Sequence, residues 1–301
     1  MAMHVFLAGG TGAVGRLLLP LLLDAGHRVA ATSRTPRGIA WLRAQGAEAV
    51  RLDMFDRAGV LDAVAAAAPQ VIVHQLTALA DANLADNARI RREGTRNLVD
   101  AAHRAGVERI VAQSISWAYE PGEGPATEAT ALDTDAPEPR ATSVDGVLAL
   151  ERAVAELPEH VILRYGMFHG PGTWYEPDGP VAGRLRRGEL AADGSVTSFL
   201  HVADAARAAL AALDWPSGVV NVVDDEPAAA HDWMPVLARA LGVPAPAPSQ
   251  GRPGWARGAD NTRARTAYGW QPREGSWRDC FERLAADRPT VPVTAHAGAA
   301  R

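Results

Sequence analysis

Val5-Phe6-Leu7-Ala8-Gly9-Gly10-Thr11-Gly12-Ala13-Val14-Gly15 decides how this chain folds. An apolar run of strand character leads into glycines three apart, and the segment beyond, Val14–Ala25, reads as a helix that stops at Gly26. Gly9 permits a tight turn, Gly12 lets the backbone approach a pyrophosphate, and Gly15 lets helix and strand pack closely. The helix start offers unpaired N–H groups and a positive dipole end to phosphates. Set between a strand and a helix, the motif reads as a dinucleotide-binding turn, with Gly9, Thr11, Gly12, Ala13, Val14 and Gly15 as its cofactor residues.

Outward from that turn, strands are expected at His27–Thr32, Ala49–Leu52, Val71–His74, Arg109–Gln113 and Val161–Leu163. Helices are expected between them at Val60–Ala68, Gly94–Ala105 and Val144–Glu156. This alternation predicts an α/β fold, a Rossmann-type doubly wound parallel sheet with helices on both faces. Regularity then breaks at a Gly/Pro/Trp loop, Gly170–Pro180, which a basic helix follows. A short strand at Ser198–His201, a helix at Ala203–Leu213, a strand at Val219–Val223 and a helix at Trp233–Leu241 come next. The expected organisation is a nucleotide-binding domain over 1–165 and a smaller, mainly substrate-binding region over 166–288 whose elements partly return to the first. Residues 289–301 read as a disordered tail.

Composition narrows the function. The 301 residues, 48% hydrophobic and 22% charged, suit a soluble globular chain. A net charge of -5 gives no reason to expect nucleic acid or an anionic membrane as partner. No apolar run is long enough to span a bilayer, and the first strand follows Met1 too closely for a leader, so a cytoplasmic location is expected. The single Cys280 argues against a disulfide framework and a cysteine metal site, and the scattered histidines suggest no metal ligand set. All 30 residues counted as Lys or Arg are arginine.

The ends of the strands should carry the cofactor. An acid after the second strand would bind ribose hydroxyls; here Ser33, Arg34 and Arg37 stand there, which would attract a 2′-phosphate and favour NADP(H). Asp53 and Met54 follow the third strand, where adenine would lie, and Gln75, Leu76 and Thr77 follow the fourth, with Gln113 at the end of the fifth.

With these residues in view, the chain resembles the extended short-chain dehydrogenase/reductases, the NAD-dependent epimerase/dehydratase group, over nearly its whole length. Glu93-Gly94-Thr95-Arg96-Asn97-Leu98, Leu163 to Gly172, Phe199-Leu200-His201-Val202-Ala203-Asp204 and Asn221 to Pro227 are similar to that family's motifs. The resemblance implies that Tyr165, Gly166, Met167 and Phe168 lie beside nicotinamide. The family's catalytic residues do not carry over. Its active-site Asn falls on Arg91, and its Ser/Thr on Ile115 between Ser114 and Ser116. Its Tyr-x-x-x-Lys falls on Ser143 and Val147, and no shift of register supplies a lysine. Ser114, Ser116 and Ser143 are therefore the candidate catalytic hydroxyls.

Hydride transfer belongs to the cofactor, while the missing tyrosine would add general acid catalysis of about 10² to 10⁴. A substrate that stabilises or protonates its own alkoxide could do without it. Members of the family that lack the triad, which the chain resembles, reduce angucyclinone-type ketones or quinones of aromatic polyketide antibiotics. The expected function is thus an NADPH-dependent ketoreductase acting on an aromatic ketone, with Trp117, Phe168, Trp174 and Tyr175 against the flat ligand. A non-catalytic NADP(H) sensor or a nucleotide-sugar epimerase/dehydratase are the alternatives.

Overall fold

The computed structural model describes residues 1–78 and 83–286. Six strands, β1 (His4–Ala8), β2 (Arg28–Ser33), β3 (Glu48–Arg51), β4 (Val71–His74), β5 (Arg109–Ile115) and β6 (Glu159–Tyr165), form the body of the sheet. Three short strands follow, β7 (Met167–His169), β8 (Val196–Thr197) and β9 (Phe199–His201). The chain then returns as β10 (Gly218–Val222), completing a seven-stranded sheet in the order β10-β6-β5-β4-β1-β2-β3, with every pair parallel. β11 (Ala228–Ala229) pairs with β8, and β7 pairs with β9.

Burial on both faces explains why the first strand is apolar without interruption. Successive side chains of a strand point to opposite faces. Val5 and Leu7 pack with Leu18 and Leu22 of α1 (Ala13–Asp24) and Ala205 of α8 (Val202–Ala211). Phe6 and Ala8 enter the opposite layer with Val60 and Val64 of α3 (Arg57–Ala67), Leu98 of α5 (Thr95–Ala105) and Leu150 of α6 (Arg140–Val154). The doubly wound reading holds. From β1 the chain winds one way to β3, and β4 then starts on the other side of β1. Such a switch of direction opens a crevice at the carboxyl ends of the two central strands.

Several elements escaped the sequence reading. Helix α2 (Pro36–Ala44) is capped by Thr35, whose hydroxyl accepts from Gly38 N–H at 3.0 Å. The helix expected at Gly94–Ala105 is only the last part of a longer path: α4 (Leu84–Arg89) runs into a π-helical turn, Ile90–Gly94, before α5. The two anticipated helices α7 (Pro180–Arg186) and α9 (Ala230–Leu241) gather with the unanticipated α11 (Trp277–Ala286) around Tyr175, Phe199, Trp233, Trp277 and Phe281. Helix α10 (Thr262–Tyr268) packs Ala264 and Tyr268 against the main sheet's core. The expected tail, 289–301, lies outside the described residues.

Candidate functional site

A cleft of about 290 Å³ opens over the carboxyl ends of β1, β2 and β4. Gly9, Thr11, Gly12, Ser33, Arg34, Asp53, Met54, Gln75, Leu76 and Thr77, all anticipated, line it. Gly9 has φ 93°, and a Cβ on it would stand 2.6 Å from the Gln75 carbonyl oxygen, so only glycine lets β1 and β4 end this close. A Cβ on Gly15 would stand 2.2 Å from Gly9 O; this residue lines neither cavity and holds helix to strand instead. Gly38 makes room for Ser33, whose Oγ lies 3.4 Å from Thr11 Oγ1. Asp53 turns one carboxylate oxygen back to accept from Phe55 N–H at 3.0 Å.

These residues fit a dinucleotide. The Gln75 side-chain amide is buried in the cleft wall beside the Tyr165 hydroxyl, and neither its nitrogen nor its oxygen makes a well-formed hydrogen bond to a described residue. A buried amide left short of partners asks for a ligand to supply them. Arg37 sits in the first turn of α2, whose inward side is Gly38 and Ile39; it is exposed and is not among the residues that line the cleft.

The cleft continues into a second cavity of about 500 Å³ through the shared walls Gly12, Arg34, Gln75, Thr77 and Ala78. Ala13, Val14, Gln113, Met167, Phe168 and Trp174 line it as expected. Thr173, Glu176 and Pro180 join them unannounced, and Glu176 accepts from Gly172 N–H at 2.6 Å. An acid inside a Gly/Pro/Trp loop was the available signal for Glu176, but spacing alone does not fold a loop inward.

Four other expected residues lie behind the wall. Tyr165 is buried, donates its hydroxyl to Ala205 O at 3.2 Å and supports Phe168 at 5.3 Å between ring centres; burial pushes its phenol far above the usual range. Gly166 donates its N–H to Val222 O, and a Cβ there would strike Ser198 O at 2.7 Å, so its role is a close backbone crossing. Trp117 packs with Ile115, Val144 and Val147 under the sheet. Tyr175 stacks on Phe281 at 5.8 Å within the aromatic core.

The candidate hydroxyls do not form a proton-transfer group. Ser114 is wholly buried and donates to Glu151 Oε1 at 2.7 Å, while Arg164 holds the same carboxylate through Nε (2.9 Å) and Nη2 (2.6 Å). Ser116 and Ser143 are buried and line neither cavity. The position of the family tyrosine is thus sealed by α6 packing, and Val147 occupies a core position. Ser114→Ala is expected to lower stability by about 1–3 kcal/mol, because it leaves a buried acceptor short of a donor. Turnover of the three Ser→Ala proteins should stay within a few-fold of wild type; a fall of about 10² or more in one of them would make that serine a proton donor after all.

His169, His201 and Cys280 come together with potential ligand atoms within 4.8 Å of one another. No spacing along the chain hints at this grouping. His201 Nδ1 accepts from Ala203 N–H at 3.2 Å, which leaves the ring proton on Nε2. Metal-binding histidines donate through their second nitrogen rather than accept, so the cluster is built for packing. His169 stands edge-on to Phe199 and Phe281, and burial holds its pKa down to about 3. No helix among the described residues is long and apolar enough to cross a membrane.

Comparison with known proteins agrees with this geometry. The model of the NAD dependent epimerase/dehydratase family matches residues 5–223. A Streptomyces protein, "3-diazoavenalumate denitrifying reductase", is 45% identical over 92% of this chain and 98% of its own. Among solved structures, MoeE5 in complex with UDP-glucuronic acid and NAD is 27% identical, covering 94% of this chain and 96% of its own, with a TM-score of 0.71. The UDP-glucose 4-epimerase of Thermus thermophilus in complex with NAD is 25% identical over 94% and 98%, with a TM-score of 0.72.

Proposed function

The chain belongs to the NAD dependent epimerase/dehydratase family, and from that premise we propose that it is an NADPH-dependent reductase of an aromatic diazo acid, releasing dinitrogen. One observation carries the reading: a nucleotide cleft leads into an apolar cavity with Phe168 and Trp174 in its walls, and no hydroxyl–ammonium pair stands beside it.

The acceptor must therefore be one that takes hydride without a proton from the protein. Hydride, the chemistry a reduced nicotinamide supplies when bound, adds to the terminal nitrogen of an aryl diazonium; the neutral aryldiazene then loses N₂ and keeps the hydrogen on carbon. Atoms and charge balance with no acid. A ketone leaves an alkoxide that something must protonate, and sugar epimerisation begins by oxidising an alcohol, which needs a base. The name of the 45% identical reductase supports the diazo acceptor over the polycyclic ketone that the motifs suggested.

The residues share the work. The Gly9–Gly15 turn and the start of α1 would hold the pyrophosphate, Gln75 would supply amide contacts, and Arg34, at the wall of both cavities, would meet the 2′-phosphate. Met167, Phe168 and Trp174 exclude water around a flat ring.

Purified protein given NADPH and diazotised 3-amino-4-hydroxycinnamate should oxidise the nucleotide and evolve one N₂ per NADPH. NADPH carrying deuterium at C4 should leave deuterium on the ring carbon that bore nitrogen. Oxidation only with a phenol-flanked polycyclic ketone or quinone would restore the ketoreductase reading. Turnover of a UDP-sugar would indicate an epimerase, and no turnover with nucleotide-dependent capture of a protein would indicate a sensor. Arg34 in place of an acid should make NADP(H) bind about tenfold tighter than NAD(H), about 1.4 kcal/mol; equal affinities by fluorescence titration would refute that preference.

A further inference from the structure

The substrate cavity has two charged side chains among the described residues that line it, Arg34 and Glu176. Arg34 also walls the nucleotide cleft, where it would meet the 2′-phosphate, whereas Glu176 lines only the substrate cavity. The Glu176 carboxylate accepts one hydrogen bond, through Oε1 from Gly172 N–H at 2.6 Å, and enters no ion pair among the described residues. Once a phosphate engages Arg34, this negative charge is left without a counter-ion beside the apolar walls of Val14, Met167, Phe168 and Pro180. Its attraction for a cation grows there, because less water is present to screen it.

The loop is built to hold that side chain in place. Tyr175, the residue before it, is locked into the aromatic core, stacked on Phe281 and edge-on to Phe199 and Trp233. Just after it, Gly179 donates its N–H to Glu176 O at 2.9 Å. A Cβ on Gly179 would stand 2.4 Å from Trp174 O, so the turn closes only around glycine. Thr173 Oγ1 donates to Gly170 O at 2.7 Å and ties the other side of the loop. A carboxylate positioned by its own loop meets a ligand at little further cost in ordering.

We propose that Glu176 is the cation-recognising residue of the substrate cavity and pairs with a positive group carried on the substrate's ring. This rests on the reading of the chain as a reductase of an aromatic diazo acid, in which that group is the diazonium. A diazonium has no hydrogen to donate, so charge and not a hydrogen bond must recognise it. The same carboxylate repels the substrate's own carboxylate and any aryloxide, which decides which end of the ring lies against the loop. It also favours the charge-separated diazonium over a neutral quinone diazide, and so keeps positive charge on the nitrogens that take the hydride.

NADPH-loaded protein given probes that cannot be reduced tests this without turnover. The probes are 3-(trimethylammonio)cinnamate and 3-tert-butylcinnamate, which share one shape and differ in charge. Wild type should bind the first about tenfold tighter than the second. E176Q keeps an oxygen for Gly172 N–H and loses the charge. It should erase the preference with melting temperature and NADPH affinity unchanged, and E176D should restore part of it. With diazotised 3-amino-4-hydroxycinnamate, E176Q should raise KM about tenfold and move kcat by no more than about threefold. Equal binding of the two probes by wild type, an undiminished preference in E176Q, or an E176Q that loses both probes equally would each overturn the proposal. So would an E176Q that weakens NADP⁺ but not NADPH while the preference stays, since Glu176 would then be the counter-ion of the oxidised nicotinamide. A preference that E176Q erases, with no dinitrogen evolved by wild type, would instead refute only the diazo reading.

Discussion

Glu151→Ala is expected to destabilise the protein by about 3–5 kcal/mol, more than removal of any partner that Glu151 serves. The carboxylate holds Arg164 at 2.6 Å, takes the Ser114 hydroxyl, and is the negative charge felt by Arg91. Without it two guanidinium groups face each other's field in a dry interior. Arg164 Nη1 already lacks a partner among the described residues, so no spare acceptor takes over. Tyr119 offers Arg164 its ring face, at 4.9 Å, and a neutral hydroxyl, neither of which replaces a carboxylate. Melting curves should show a fall on the order of 10 °C for a chain of this size. Because β5, β6 and α6 meet at this cluster, refolding yield should fall as well. A change under about 1 kcal/mol would mean that water enters the cluster and screens it.

Gly15→Val should abolish dinucleotide binding, a loss of at least about a hundredfold, or 2.7 kcal/mol. The new Cβ would stand 2.2 Å from Gly9 O and 2.8 Å from Gly10 C, and both neighbours are backbone. Relief requires α1 to move off β1, which carries the N–H groups of the helix start away from the pyrophosphate. Gly26→Ala is the matched control: it sits at the far end of the same helix with φ 84° and open space around a Cβ. It should cost about 1 kcal/mol in stability and nothing in nucleotide affinity. Both are read by nucleotide titration beside a thermal melt. Wild-type affinity in the Gly15 variant would remove the turn from the cofactor site.

How much of this could be read in the chain depends on how local the cause is. The glycine turn, the helix it opens and the burial of β1 on both faces follow from spacing, φ requirements and unbroken apolarity, which need no knowledge of distant residues. The loss of Tyr-x-x-x-Lys chemistry is equally plain, since a chain with no lysine cannot supply it in any register. The π-helical turn before α5 and the α2 helix were not legible, because Arg-rich segments with few apolar residues show no firm period. Aromatic residues divide in a way that composition does not reveal: Trp174 lines the cavity while Tyr175 beside it turns into the core. Successive side chains of a loop take directions set by what packs above and below them. Ser114 became a structural donor because Glu151, on α6, and Arg164, on β6, fold against β5. Local residue patterns thus suffice for the fold, the nucleotide turn and the missing acid. The pairing of charges, and which side chains face the cavity, are settled where distant elements meet, since burial and partnership belong to the packed whole.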